Sequence, residues 1–312
     1  WFSVVDALCD WFAALHGAFH RASAVLYVPP GVQVAEPLSV TAAMTTGGVD
    51  TSHVLVVLGD GAAATLLTET SGGGDASHAA GGFHCGGTEI VVGKGAFLRM
   101  VNLQNWNTGV WHVARQKAVV HENGRLQWTL GALGSRLSQV AQDVALVGRH
   151  ADAQVNGVMF TEGRQHLVYN TLQHHEAPGC KSDLLYKGAL QDRSRLVWRG
   201  MIKVDKAAQK TDGYQRNDNL MLSNESRADS IPGLEIEADD VAARMARPAA
   251  GSMQSRSSTP KPAASRPTRR RGWSSRGSSS RSSTGSRSCP SVRPSPARSA
   301  AASGGYREPR DD

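Results

Sequence analysis

Residues 53–70 read HVLVVLGDGAAATLLTET, and the pattern in this stretch decides the fold class. A short apolar, β-branched run, His53–Leu58, meets a turn at Gly59–Gly61, and a second short run, Ala64–Thr70, follows. Short runs of this kind, bounded by glycine and charged residues, are typical of β-strands joined by tight turns. The stretch therefore predicts two strands and the turn between them.

The same pattern recurs along the chain, with turns about 25–35 residues apart where it is clearest. The further pairs of predicted strands are Thr88–Val92 with Phe97–Leu103, Lys117–Val120 with Leu126–Leu130, Val144–Val147 with Val155–Phe160, and Leu196–Val204 with Ala208–Thr211. Many short strands at such spacing favour an all-β sandwich, a barrel or a solenoid. Helical patterns between the strands are missing, which counts against a doubly wound α/β sheet.

Residues 1–22 have a different period from the rest. Their apolar residues recur at helical spacing: Trp1, Val4, Val5, Leu8, Trp11, Phe12, Leu15 and Phe19. This spacing predicts a helix. Because the chain begins at Trp1, we interpret residues 1–22 as the remnant of an N-terminal helical region. Residues 23–241 then form the β core.

The net charge of the chain changes from negative before Val241 to positive after it. Residues 242–312 hold 15 Lys+Arg and 3 Asp+Glu, whereas the whole chain holds 34 and 27, so residues 1–241 hold 19 and 24. The basic sequence pI of about 9.5 therefore comes from the tail. The acidic body gives no support for a nucleic-acid partner. We expect residues 242–312, rich in Ser, Arg and Pro, to be disordered.

Cysteine usage and hydropathy bear on the compartment. Cys9, Cys85, Cys180 and Cys289 lack the CxxC spacing of zinc sites, and nothing suggests a disulfide framework. No apolar run approaches the length of a membrane span. We therefore expect a protein of the reducing cytoplasm without membrane association.

The segment TLQHHEAPGC, residues 171–180, contains the candidate metal ligands His174, His175 and Cys180. Imidazole and thiolate suit zinc, iron or an iron–sulfur species. The alternative is a loop after a strand, with Pro178-Gly179 forming the turn and Cys180 buried as a small hydrophobic residue. We favour the alternative.

Three tryptophans allow two interpretations. Trp106, Trp111 and Trp128 could form a stacking platform for bases or sugars. In a protein with short strands, such residues more often lie in the core or at a subunit interface, and we favour that interpretation.

An acidic segment near the end of the β core also allows two interpretations. Glu235, Glu237, Asp239 and Asp240 could bind a divalent cation. The alternation in LEIEA, residues 234–238, instead predicts a strand with its acidic face in solvent, which we favour. The chain contains no Ser/His/Asp order, paired-carboxylate motif or HExxH helix, so no motif supports an independent enzyme.

The stretch DLLYKGALQDRSRLVWRGMIKVDKAAQKTDGYQRNDNLMLSNESRADSIPGLEIEADDV, residues 183–241, resembles the SufB/SufD family of the SUF iron–sulfur cluster assembly machinery. The matching motifs are YKGAL at Tyr186–Leu190, AQKTDGYQ at Ala208–Gln215, NLMLS at Asn219–Ser223, RADSIPGLEIEADDV at Arg227–Val241, VNLQNW at Val101–Trp106 and RQHLVYNTLQHH at Arg164–His175. The similarity runs from about Tyr27 to Val241. Within the family, YKGAL and AQKTD resemble the SufD branch more than the SufB branch.

The resemblance implies a right-handed parallel β-helix (β-solenoid) over residues 23–241. It also implies a scaffold subunit that pairs with SufB through the β-helices and binds the ATPase SufC through C-terminal helices. On this basis the SufB-interface candidates are Glu235, Glu237, Asp239, Asp240 and Val241. The resemblance implies no stably bound cofactor and no turnover by this chain alone; the cluster is carried transiently by the assembled complex.

The family pattern continues after ADDV with a segment like RCTHGAT, whose histidine is the family's main functional residue on this side of the interface. Here residues 242–248 read AARMARP, so the chain offers no catalytic candidate there. One inserted nucleotide would account for the difference: Val241–Met245 can be encoded GTC GCT GCA CGC ATG, and one C inserted after GTC gives GTC CGC TGC ACG CAT, which encodes VRCTH. We hypothesise a frameshift, which would weaken SufC binding because the tail lacks a helical apolar stripe.

Two alternatives remain open. Residues 242–312 could be a genuine basic tail of the RNA-binding type, and the gene sequence decides, since a frameshift requires that a single-base change restore the family pattern. The chain could instead be an independent β-solenoid that binds carbohydrate or nucleic acid. We rank this second function lower because the acidic residues lie mostly in turns.

Overall fold

A computed structural model describes residues 4–74, 81–246 and 249–252, and the following account concerns those residues. They form one helix, α1 (Trp11–Phe19), and a series of short strands. The strands are β1 (Ser23–Val28), β2 (Leu38–Met44), β3 (Val49–Asp50), β4 (His53–Leu58), β5 (Ala63–Gly72), β6 (Phe83–Val92), β7 (Phe97–Trp106), β8 (Trp111–Val120), β9 (Arg125–Ala132), β10 (Leu137–Leu146), β11 (Asp152–Thr161), β12 (His166–His175), β13 (Lys181–Leu190), β14 (Arg195–Val204), β15 (Thr211–Met221), β16 (Arg227–Ile236), β17 (Val241–Met245) and β18 (Ala249–Ser252).

The strands form two parallel sheets, and from β4 to β17 successive strands alternate between them. Sheet 1 has the order β1-β4-β6-β8-β10-β12-β14-β16, with β3 also paired to β6. Sheet 2 has the order β17-β15-β13-β11-β9-β7-β5-β2, with β18 also paired to β15. Each strand inside these orders therefore pairs with the strand one coil earlier and one coil later, which is the arrangement of a solenoid. The predicted all-β, parallel β-helix core is confirmed.

The core fills the space between the two sheets. Alternate residues of each strand point inward, and equivalent residues of successive coils stack in register. One such row consists of Met100, Trp128 and Val155, and Trp128 is fully buried. Trp106 is buried as well, which confirms the core interpretation for these two tryptophans. Trp111 instead lies on the outer face, 46% exposed, with the Arg136 guanidinium 5.8 Å from its ring centre.

The helix is shorter than the sequence predicts. Residues 4–10 form turns and extended chain, and α1 begins after Asp10, whose carboxylate accepts a hydrogen bond of 2.8 Å from the backbone N–H of Ala13. The apolar stripe does not face the core, since Trp11 is 89% and Phe19 62% exposed. The prediction of a helix over residues 1–22 therefore holds only for Trp11–Phe19 among the described residues. Neither α1 nor any other described helix has the length and apolar character needed to cross a membrane.

Two regions near the end of the chain differ from the predicted elements. The predicted strand Ala208–Thr211 is wrong, because the N–H of Ala208 closes a turn on the carbonyl of Asp205 at 2.9 Å and β15 begins only at Thr211. Strand β17 continues past Val241 to Met245 and pairs with β15. The first residues of the predicted tail therefore join the solenoid, and residues 253–312 lie outside the described part of the chain.

Candidate functional site

The last coil of the described solenoid has a free strand edge at β16. One edge of β16 pairs with β14, and no described strand pairs with the other. The N–H of Arg227 donates to the carbonyl oxygen of Ser194, just before β14, at 3.0 Å. The N–H of Glu237 donates to the carbonyl oxygen of Val204, at the end of β14, at 2.9 Å. Backbone groups alternate in direction along a strand, so the even-numbered N–H and C=O groups point to the free edge. Pro232 occupies one of these even positions and supplies no donor, so the donors in the C-terminal part of this free edge are those of Leu234 and Ile236.

Beside this free edge, inward-facing apolar side chains of β16 are partly exposed to solvent. Leu234 and Ile236 continue the inward-facing row of Ile202 and Val204, which are completely buried one coil earlier. Leu234 is nevertheless 36% and Ile236 41% exposed. Solenoids usually end in a polar capping repeat, and an apolar end marks a surface that another element covers.

The acidic residues surround this end without gathering into a cation site. Glu235, Glu237, Asp239 and Asp240 are all exposed, and a carboxylate oxygen of Glu235 lies 3.2 Å from the Lys203 ammonium. The backbone of Asp240 bonds to Gln209 and Lys210. Across the described ranges, no three His, Cys, Asp or Glu side chains form a group that could hold a metal ion. The acidic residues therefore form a charged rim beside the free edge.

Val241 lies at the inner margin of the same end. It packs against the small apolar cluster that contains Ile202, Val204 and Ala208. Asp240 and Ala242, which flank it in the sequence, are both exposed. Val241 itself is half-buried and is the first residue of β17.

His174 lies on the outer face of β12 between two carboxylates. Its Nδ1 is 3.2 Å from an oxygen of Glu176, and its Nε2 is 2.9 Å from an oxygen of Asp205. Burial alone would lower the pKa of His174, but the hydrogen bonds to Glu176 and Asp205 outweigh burial and raise it. Each ring nitrogen thus faces a carboxylate partner and is not directed at a shared metal position.

His175 points to the opposite face, into the core. Its Nε2 lies 2.8 Å from the Ser182 hydroxyl, and its Nδ1 has no hydrogen-bond partner among the described residues. Burial, followed by the proximity of His174, lowers the pKa of His175 to about 4, so the ring is neutral. Because adjacent strand residues point to opposite faces, His174 and His175 do not converge on one ion.

Cys180 is buried at the turn before β13. Its Sγ lies 3.1 Å from the carbonyl oxygen of Gly148 and 3.8 Å from that of Leu146. Burial raises the pKa of the thiol, which keeps it protonated. This environment supports the interpretation of Cys180 as a small buried side chain.

Replacing Cys180 with alanine is expected to lower the free energy of unfolding by about 1 kcal/mol, because a small buried side chain is shortened. On the expectation from the family resemblance that an assembled complex carries a cluster, the cluster yield of that complex is expected to stay unchanged. Iron and sulfide content measured on purified complexes checks this, with Cys9→Ala as the matched control on the N-terminal segment. A reduced yield at unchanged stability would instead assign Cys180 to the cluster pathway.

Sequence reasoning missed a cluster of imidazoles near the first coils. His16 and His53 lie 2.9 Å apart through their ring nitrogens on the outer face of sheet 1, and His84 and His112 lie 2.7 Å apart inside the solenoid. The available signal was the segment HCGG, residues 84–87, where two glycines follow a histidine in the middle of a strand. Glycine inside a strand marks close approach of other groups.

The described fold and end geometry can be compared with known proteins. The sequence model of the SUF system FeS cluster assembly, SufBD core domain, matches residues 41–247, about two thirds of the chain. The chain belongs to the SufBD family. The match ends within six residues of Val241, close to the change in composition, and family membership supports a role in iron–sulfur cluster assembly.

Curated SufBD relatives agree with this assignment. An iron–sulfur cluster assembly SufBD family protein of Staphylococcus epidermidis is 27% identical over 239 residues, which cover 77% of this chain and 51% of that protein. A SufBD family protein of Mycobacterium leprae is 33% identical over 171 residues, which cover 53% of this chain and 44% of that protein. The chain thus spans about half the length of the S. epidermidis protein.

Proposed function

We propose that this SufBD chain is a non-catalytic scaffold subunit of a cytoplasmic iron–sulfur cluster assembly complex. In this proposal it takes the SufD-type position, pairs with a SufB-type β-helix and associates with the ATPase SufC. The cluster is transient cargo of the assembled complex. The observation that carries the proposal is the free edge of β16 above the exposed Leu234 and Ile236.

The geometry of this end suits strand addition by a second solenoid. A partner strand would satisfy the even-numbered backbone groups after Pro232, while the partner's interior would cover Leu234 and Ile236. The acidic rim at Glu235, Glu237, Asp239 and Asp240 favours a partner with Lys or Arg beside its own edge strand. In such a complex the hydrophobic core of one solenoid would be continuous with the core of the other.

The segment after Val241 sets the expected limits of this chain's contribution. AARMARP lacks the histidine that the family motif carries, and residues 242–312 lack a helical apolar stripe for SufC. We therefore propose pairing with SufB through β16 and weakened association with SufC. Family membership and the absence of any catalytic motif in the sequence support a scaffold role.

Replacing Ile236 with lysine is expected to weaken pairing with SufB by roughly 30-fold, since a buried apolar anchor at the centre of an interface contributes about 2 kcal/mol. The isolated chain should keep its fold, because Ile236 is already 41% exposed. Binding is measured by titrating labelled SufB, and folding by thermal unfolding of the unpaired variant.

Glu237→Gln is the matched control, since it changes an exposed rim charge on the same coil. Its effect on affinity should stay within about threefold. Equal affinity of the Ile236→Lys variant and the unaltered chain would show that β16 is not the pairing edge. No binding of the unaltered chain to SufB would refute the proposed function itself.

A further inference from the structure

An N-terminal segment, residues 4–20, lies across the outer face of sheet 1 at β6 and β8. Two polar contacts anchor its first half. The backbone N–H of Val5 donates to a carboxylate oxygen of Glu89 at 3.0 Å, and Nε of Arg115 donates to the Asp10 carboxylate at 2.6 Å. The segment is thus held to the solenoid by side chains that belong to separate coils.

The second half is held by a pair of neutral imidazoles. His16 Nδ1 is 2.9 Å from the carbonyl oxygen of Cys85, and a carbonyl only accepts, so this nitrogen carries the proton. In the neutral ring His16 Nε2 then bears a lone pair, which accepts a hydrogen bond from His53 Nδ1 at 2.9 Å. The ring centres are 5.2 Å apart and the ring planes are inclined by only 19°, so the two rings meet edge to edge and are nearly parallel. The bond requires a lone pair on one of the two facing nitrogens, so a doubly protonated pair cannot form it.

The position occupied by the two rings depends on Gly87. A Cβ atom at residue 87 would lie 2.6 Å from both His16 Nε2 and His53 Nδ1. This is far closer than real Cβ contacts. The absence of a side chain at this point of β6 is therefore what allows the imidazole pair to lie flat against the sheet.

Other charged groups around the pair do not neutralise an added proton fully. The titratable or charged groups on the elements packed around the pair are Asp6, Cys9, Asp10 and His20 of the segment, Asp50 on β3, His84, Cys85 and Glu89 on β6, and His112 and Arg115 on β8. Burial lowers the pKa of His16, against the opposing influence of the Cys85 carbonyl and Asp50. Burial, then the nearby His16 and His20, lowers the pKa of His53 to about 4.

We propose that residues 4–20 form an acid-sensitive latch, which protonation of His16 and His53 releases from sheet 1. Release breaks the His16–Cys85 and His16–His53 bonds and uncovers the Cys85 thiol. That thiol is buried in the closed state, with its Sγ 3.5 Å from the carbonyl oxygen of Phe12.

The direction of the pH effect follows from the two states. In the open state the histidines regain a pKa of about 6.5, whereas in the closed state their pKa is depressed. The free-energy advantage of the closed state over the open state is therefore largest above about pH 6.5. It decreases as the pH falls toward about 4. For His53 alone, the opening constant at about pH 5 should be roughly 30-fold larger than at about pH 8.

Peptide-resolved hydrogen exchange of the full chain tests the latch at about pH 8, 6.5 and 5, with intrinsic rates corrected. Protection of residues 11–19 should fall as the pH drops, while β12 stays protected. Labelling of Cys85 by a pyridyl disulfide, which reacts in acid, should rise in parallel. Unchanged protection of α1 at about pH 5, or simultaneous loss of protection in α1 and β12, would overturn the proposal.

Three variants separate the latch from general acid sensitivity. His53→Asn keeps a hydrogen-bonding group near the Nδ1 position without titrating, so it should reduce the pH response of α1. Gly87→Ala should open the segment even at about pH 8. His150→Asn, in an exposed turn outside the cluster, should leave the pH response unaltered. A full pH response in His53→Asn would contradict the assignment of His53.

Discussion

Replacing Trp128 with alanine is expected to lower the free energy of unfolding by about 3–5 kcal/mol. Trp128 is fully buried between Met100 of the preceding coil and Val155 of the following one, so the substitution leaves a cavity in the stacked row. Within the described part of the chain its indole N–H has no hydrogen-bond partner, so the expected loss reflects packing alone. Urea or guanidinium unfolding, followed by far-UV circular dichroism, measures the change.

Trp111→Ala is the matched control for that experiment. It removes the same side chain from the outer face of the solenoid, where Trp111 is 46% exposed and contacts the Arg136 guanidinium. The expected loss is about 1 kcal/mol or less. Equal losses in the two variants would contradict the core position of Trp128 and reopen its role as part of a surface platform.

The Gly148→Ala substitution is expected to destabilise the chain by about 3 kcal/mol or more. Gly148 lies in the turn between β10 and β11, directly against the turn of the preceding coil. An added Cβ atom would overlap the backbone of His121 and Glu122. Backbone cannot move aside as a flexible side chain can, so the two coils would have to separate at this corner. Chemical unfolding of the purified variant measures the effect.

Gly163→Ala separates this steric effect from the general consequence of losing a glycine. Gly163 has a positive φ of 57°, and no atom of the described residues lies within 4 Å of an added Cβ atom. Only the conformational strain of about 1–2 kcal/mol is expected there. A Gly148→Ala variant no less stable than Gly163→Ala would show that the coils at Gly148 have more room than the structure indicates.

Strands next to glycine turns were predictable from sequence because turn chemistry is local. The boundaries of β4, His53–Leu58, coincide with the predicted ones, and β7 begins at Phe97 as predicted. Strands β12, β13 and β15 lacked a clear strand pattern, because their inward positions include polar residues. Ser182 donates to Gln173 at 3.0 Å, and Asn219 donates to Asn217 at 2.6 Å, so inward-facing polar side chains pair with one another inside the solenoid.

In the candidate sites, too, local features were predictable from the sequence and long-range features were not. The acidic segment around Glu235 and the interface candidates were visible as a pattern and a resemblance, yet neither indicated that Leu234 and Ile236 are uncovered. The imidazole pair joins His16 and His53, which are separated by 37 positions in the chain. No local pattern connects such residues, and only the stacking of coils brings them together.

The sequence by itself determined the short strands around their glycine turns, the division of charge at Val241 and the motifs of the SufBD family. Only the tertiary structure decided which residues of successive coils lie opposite one another, that β16 keeps a free edge, and that Trp128 is buried while Trp111 is not. The physical reason is the distance along the chain over which each feature is set. A turn depends on neighbouring residues, whereas the partner of a parallel strand lies about 30 residues away, and its register decides which side chains face inward.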